Sequence, residues 1–277
     1  MNILYLKFNS KIFKKLIINV NFMILINNNT LFLLEEIVKK NFSAKYKSSV
    51  LGIIWSVLKP LLIMILLTII FSTLFGNKID NYPVYFLSGK CIFDFFTAAT
   101  NVSMMSIKGN INIFKRTAAP KFVFVVGGVI SEFINFIITL IIFVGVMIVT
   151  KAPFYSTSMF AIIPIVSLIF MITGTGLILA VLCVHFSDIQ HLWSVVTLML
   201  MYASATFYPM DIIPEPYHQY MILNPVFWVI DQFRHLVIWG TIPNLLNMIN
   251  LVLLSAIIFV LGVIVFKKYE KKLTLKF

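Results

Sequence analysis

From about residue 51 onward the chain alternates long aliphatic runs with short polar segments. A helix that crosses a bilayer needs about 20 consecutive, mainly apolar residues. Six runs are read as spans by this measure, near 53–75, 84–106, 122–149, 158–184, 193–208 and 245–266. The fifth is short, so the loop after it is expected to dip back into the membrane. That loop, within "ATFYPMDIIPEPYHQYMILNPVFWVIDQF" at 203–231, holds Pro209, Pro214, Pro216 and Pro225 with Asp211, Glu215 and Asp231. Proline cannot continue helical bonding. Broken backbone at membrane depth must be covered by protein or water. Two short helices, about 213–221 and 225–238, are predicted to form a re-entrant hairpin there.

Ahead of the first span the pattern changes. Residues 16–26 (LIINVNFMILI) are apolar but too short to cross, and Asn27, Asn28 and Asn29 follow instead of a small-residue cleavage site. Residues 31–42 (LFLLEEIVKKNF) place Leu31, Leu34, Ile37, Val38 and Phe42 on one helical face. Glu35 with Lys39, and Glu36 with Lys40, sit four apart as expected ion pairs. The reading is an amphipathic helix lying in the interface, with Lys45 and Lys47 at the headgroups. The expected fold is an all-α membrane protein. It has a cytoplasmic N-terminal segment (1–50) with its interfacial helix, then a six-span transmembrane domain (51–277) with an outer hairpin between spans five and six.

Composition agrees with lipid. Hydrophobic residues are 60% of the 277 and charged residues 12%, against about 25% charged in soluble domains. A net charge of +12 could point to nucleic acid, but its placement points to membrane. With the N-terminus inside, 17 Lys and Arg fall on the cytoplasmic side and 4 (Lys78, Lys90, Lys151, Arg234) on or near the outer one, while Lys59 lies in the first span. That asymmetry sets both termini in the cytoplasm. Cys91 and Cys183 both lie in apolar context and are expected as packed free thiols.

Familiar chemistry is missing from the string. Gly89-Lys90 is followed by Cys91, with no glycine at P-loop spacing. His185 and His191 lack the company of a zinc site. Charges inside spans need partners. Asp94 is one turn from Lys90, and Glu132 lies some ten residues into the third span, as the lining of a passage or a structural hydrogen bond.

Five short segments, in order on this frame, then resemble the type-2 ABC exporter permeases of the O-antigen, capsule and teichoic-acid branch. They are "KYKSSVLGIIWSVLKPLL" (45–62), "YPVYFLSG" (82–89), "NINIFKRTAAPK" (110–121), "FSDIQHL" (186–192), and "FYPMDIIPE" with "LNP" (207–215, 223–225). Three positions depart from the family's usual residues: Ser187 for Arg, Lys59 for Asn, and Lys90 for an apolar residue. The resemblance implies a homodimeric permease in the bacterial cytoplasmic (inner) membrane. It works with two copies of a separate ATPase that binds ATP and Mg, and it moves a polyprenyl-linked polysaccharide or teichoic-acid-like polymer. The chain itself would need no cofactor and engage no nucleic acid. Rivals are a permease for a small lipid or drug, a secondary flippase without an ATPase, and a membrane glycosyltransferase.

Within that reading, Asn110, Lys115, Arg116 and Pro120 in the first inner loop, with Asp188 and Gln190 in the second, are candidates to couple to the ATPase. Trp55, Phe71, Phe93, Phe96 and Glu132 are candidates to line the channel, since aromatic faces stack on sugars. Phe207, Tyr208, Pro209, Tyr217, Tyr220, Phe227 and Trp228 are candidates for an outer gate.

Overall fold

Aliphatic runs in lipid satisfy their backbone only within themselves, so they wind into helices. In the computed structural model, residues 28–46, 52, 54–75, 79–116, 119–270 and 273 are described, and no strand occurs among them. The helices are α1 (Asn28–Tyr46), α2 (Ile54–Phe75), α3 (Tyr82–Met105), α4 (Ile111–Arg116), α5 (Phe122–Val149), α6 (Ile162–His185), α7 (Ile189–Tyr202), α8 (His218–Ile222), α9 (Pro225–Val237) and α10 (Leu245–Tyr269). The predicted run at 16–26, Lys47 and Lys78 lie outside the described residues, as do the side chains of Lys115 and Arg116.

Among the described residues, four stretches are long and apolar enough to cross a membrane: Ile54–Phe71, Phe122–Val149, Ser156–His185 and Leu245–Tyr269. α3 has the length but carries Lys90 and Asp94, and α7 has 14 residues. The predicted fifth run, 193–208, is displaced. α7 starts at Ile189 and stops at Tyr202, and the left-handed backbone of Ala205 (φ 48°) turns the chain before Pro209 is reached. The first hairpin helix also differs from 213–221. Pro214 and Pro216 hold extended and 3-10 backbone, so only five residues of α-helix form there. The second matches closely. Asn224 caps α9 through Val226 N at 3.0 Å, with Pro225 at the first helical position.

α3 is the hub. It packs most on α5 and α6, and also on α9, α2 and α7. Its buried face carries Phe86, Ile92, Phe95 and Phe96 into one large cluster with Phe136, Leu168, Ile172 and Ile230. Phe95 stacks on Phe136 at 4.8 Å between centroids. α6 and α10 form the most extensive helix pair. They cross where a Cβ on Gly262 would lie 2.6 Å from the Cα of Gly174, so only glycines permit the approach. α2 is the opposite case: no residue between Ile54 and Phe71 is buried within the chain. Cys91 and Cys183 are both buried free thiols.

α1 is longer than the predicted 31–42 and packs its Ile37 and Val38 face against α5. Its ion pairs also differ. Lys39 pairs with both Glu35 (3.0 Å) and Glu36 (3.2 Å), which frees Lys40 to reach Asn110. Hydrogen bonding first to Glu35 and then to Glu36 raises the pKa of Lys39 above the ordinary lysine value.

Candidate functional site

Two ends of the bundle carry the informative side chains. At the first, α1, the 107–121 segment, the turn between α6 and α7, and the end of α10 meet. Lys40 Nζ donates to Asn110 Oδ1 at 2.7 Å, and the Asn110 amide donates to Ser106 O at 2.7 Å. Lys108 Nζ reaches Ser187 Oγ at 3.1 Å, which ties the two loops together. Lys121 Nζ donates to Glu270 O at 2.9 Å. Phe114 of α4 meets Phe124 of α5 edge-on at 4.7 Å. Pro120 precedes α5, and its carbonyl accepts from Val123 N. Asp188 is exposed at the start of α7, while Gln190 turns inward onto Cys183. These hydrogen bonds and packed rings join α1, α4, α5 and α7 into one connected surface.

Deeper along α5 a polar network begins. Lys45 Nζ donates to Glu132 Oε2 at 2.8 Å, and Asn135 Nδ2 donates to the same oxygen at 2.9 Å. Tyr46 OH donates to Asn135 Oδ1 at 2.6 Å, and Ser56 Oγ of α2 lies 2.6 Å from that hydroxyl. The carboxylate that sequence reading left between passage and structural bond therefore links three helices. Lys45, expected at the headgroups, is its counter-ion.

At the opposite end the chain reverses at 203–224. Arg234 of α9, counted from the sequence as an outer-loop cation, is 3% exposed. Its guanidinium donates to Tyr85 OH (2.8 Å), Ala205 O (2.8 Å), Thr206 O (3.1 Å), Tyr85 O (3.2 Å) and Ser88 Oγ (3.2 Å), and sits 3.6 Å above the Tyr85 ring. No carboxylate pairs with it among the described residues. Instead it satisfies carbonyls set free where α7 ends, which is what a fork of donors can do and a point charge cannot. Gly89 makes room: a Cβ there would lie 2.7 Å from the guanidinium. Asp231, Gln232 and His235 of α9, with Ile242, Pro243 and Asn247, line a half-open cavity of about 330 Å³ nearby.

The aromatics expected at an outer gate divide. Phe207 is half-buried and stacks on Phe86 at 5.8 Å, and Tyr208 OH donates to Tyr202 O. Pro209 is half-buried between them and the following 3-10 turn. Phe227 is buried, and half-buried Trp228 donates to Ile222 O at 2.7 Å. Tyr217 and Tyr220 are exposed.

The profile of the ABC-2 type transporter family matches residues 33–238. The chain belongs to this family. Members are transmembrane permease subunits and are not themselves catalytic. This ABC-2 chain is 29% identical over 242 residues to an O-antigen export system permease protein of Klebsiella pneumoniae, a match spanning 86% of this chain and 92% of that one. It is 23% identical over 229 residues to an O-antigen export permease of Myxococcus xanthus, covering 82% and 88%. It is 21% identical over 240 residues to the polysialic acid transport protein of Escherichia coli, covering 86% and 93%. The matched region begins within α1 and ends just after α9, before α10.

Among the aromatics predicted to line a channel, Trp55 and Phe71 sit on the loosely held α2, exposed and half-buried respectively. Phe93 and Phe96 are buried inside the ABC-2 bundle, and Phe96 faces Trp193 at 6.1 Å. What the sequence reading missed is the role of Arg234. A signal existed: Phe227, Ile230, Arg234 and Val237 share one helical face, so the arginine falls on the apolar side.

Proposed function

We propose that this chain is the permease subunit of an ATP-driven exporter that moves a lipid-linked surface polysaccharide across the bacterial cytoplasmic membrane. O-antigen, capsule and teichoic-acid types are the polymer classes in view. The observation that carries this reading is the near-full-length similarity to permeases named for O-antigen export and polysialic acid transport. In this reading the chain crosses the membrane six times, with α3 and the short α7 completing the four long apolar helices. Both termini face the cytoplasm, as the 17-to-4 asymmetry of Lys and Arg favours. Two copies enclose the pathway, and two copies of a separate ATPase bind ATP and Mg.

The surface joining α1, α4 and the α6–α7 turn is the coupling face. Asn110, Lys115, Arg116, Pro120, Asp188 and Gln190 receive the ATPase's motion, and contiguous packing from Phe114 to Phe124 passes it to α5. Trp55, Phe71, Phe93, Phe96 and Glu132 belong to the helices around the pathway. The 203–238 segment forms a re-entrant outer hairpin whose Phe207, Tyr208, Pro209, Tyr217, Tyr220, Phe227 and Trp228 narrow the exit. Deleting the gene and analysing surface glycan tests the reading. Loss of surface polymer with lipid-linked glycan accumulating inside is the expected result. Unchanged surface polymer with no accumulation would overturn it, and loss of resistance to a small amphiphile instead would favour a lipid or drug permease.

A further inference from the structure

α3 is buried on every side but one. From Lys90 onward its incompletely buried positions are Lys90, Asp94, Thr97, Ala98, Asn101, Val102 and Met105, and all fall within one helical face. The stripe runs about 22 Å along the axis, at 1.5 Å per residue, which is most of a bilayer's hydrocarbon thickness of about 30 Å. It is polar. Lys90 pairs with Asp94, whose side chain remains 49% exposed. The Thr97 hydroxyl is itself buried beneath this face, with no hydrogen-bond partner among the described residues. α3 also touches α2 and α7, while this face stays open.

Three environments could meet such a face. Lipid is the poorest, because a half-exposed aspartate and an amide gain nothing from hydrocarbon. A dry contact with a second copy is also disfavoured. Where two chains are related by a two-fold axis along the membrane normal, each residue of a contacting α3 faces its own twin. Asp94 would then meet Asp94, and Lys90 would meet Lys90. Water and a hydroxyl-rich polymer remain. The Lys90–Asp94 pair is neutral overall, so it holds neither a polyanion nor a polycation. It offers donors and acceptors that exchange readily with sugar hydroxyls, and Asn101 offers both two turns further along.

We propose that the Lys90–Asp94–Asn101 stripe of α3 is a hydrated track along which the sugar chain slides, its polar groups spaced along the face so that no one site retains the polymer. The proposal rests on the polysaccharide reading above, and its test separates the two. In a Cys91→Ala/Cys183→Ala background, single cysteines are placed by Ala98→Cys and Asn101→Cys, which leave the charged pair intact, and by Asp94→Cys. Ile141→Cys, exposed on the apolar face of α5, is the lipid control. A charged, membrane-impermeant methanethiosulfonate should modify the α3 positions at least about tenfold faster than the control. Cells holding an export-arrested polymer should protect the same positions, relative to cells that make none. Modification no faster than at Ile141→Cys, or spontaneous disulfides between copies at these positions, would overturn the track. Fast modification without protection would overturn polymer contact while leaving the deletion phenotype to judge the exporter reading by itself.

Discussion

Replacing Arg234 is the sharpest test of how the 203–224 loop is held. Arg234→Met keeps the length of the side chain and removes all five donated hydrogen bonds. The consequences differ by acceptor. Tyr85 O still accepts from Ser88 Oγ at 2.7 Å, and Ala205 O keeps a long contact of 3.4 Å from Tyr85 OH. Thr206 O is left with no side-chain donor. Counting one carbonyl lost and one weakened, at about 1–3 kcal/mol each, gives about 2–6 kcal/mol. Removing the guanidinium also removes its own desolvation cost, so the lower part of that range, about 2–4 kcal/mol, is expected. For a chain of this size that corresponds to a fall in Tm of about 5–15 °C. Arg234→Lys should fall almost as far, because one ammonium cannot reach Ala205 O, Thr206 O and Tyr85 O together. Thermal aggregation in detergent, read by fluorescence size exclusion, gives the Tm. Limited proteolysis should show new cleavage between 203 and 224. A lysine variant with native Tm and protection would refute the argument, since charge alone would then suffice.

Further outcomes follow from the other contacts. Gly174→Ala or Gly262→Ala forces a Cβ onto the backbone of the facing helix, which cannot yield like a side chain; a cost of about 3 kcal/mol or more, seen as low yield of monodisperse protein, is expected. Lys45→Met and Glu132→Gln should each destabilise. Their coupling in a double-mutant cycle should be only about 1 kcal/mol, because Lys45 is 43% exposed and solvent screens the pair; a null coupling would remove the ion pair as a link between α1 and α5. Reversing charge with Lys115→Glu and Arg116→Glu should leave the partner's ATP hydrolysis running while export stops, and normal surface polymer in that double variant would count against the coupling face. Tyr217→Ala with Tyr220→Ala should make cells leak small hydrophilic solutes, whereas a tight membrane would leave the hairpin as an anchor rather than a gate.

Sequence reading located the helices best where the pattern is set by lipid alone. The third and sixth runs, 122–149 and 245–266, reappear as α5 and α10 because aliphatic length fixes a helix with little help from neighbours. It did worse where tertiary partners decide. α7 stops at Tyr202 because the turn at Ala205 has Arg234 waiting for its carbonyls, and the two lie 29 residues apart. Lys39 takes both acidic partners because Asn110, 70 residues away, offers Lys40 another. Glu132 could not be paired with Lys45 across 87 residues. The exposed stripe on α3 was also illegible, since the same residues would read as a buried ion pair had α2 been packed more closely.

The crossing of α6 and α10 also bears on how the chain is made. Of the helices described, α10 leaves the ribosome last, and it packs on α6 more than on anything else. Until it arrives, the groove at Gly174 has only lipid against it, which cannot follow a glycine surface as closely as another backbone can. Insertion of the earlier helices and closure of the bundle are therefore separate events in time. A nascent chain halted before residue 245 therefore presents an open glycine groove along α6 that only the last helix can fill.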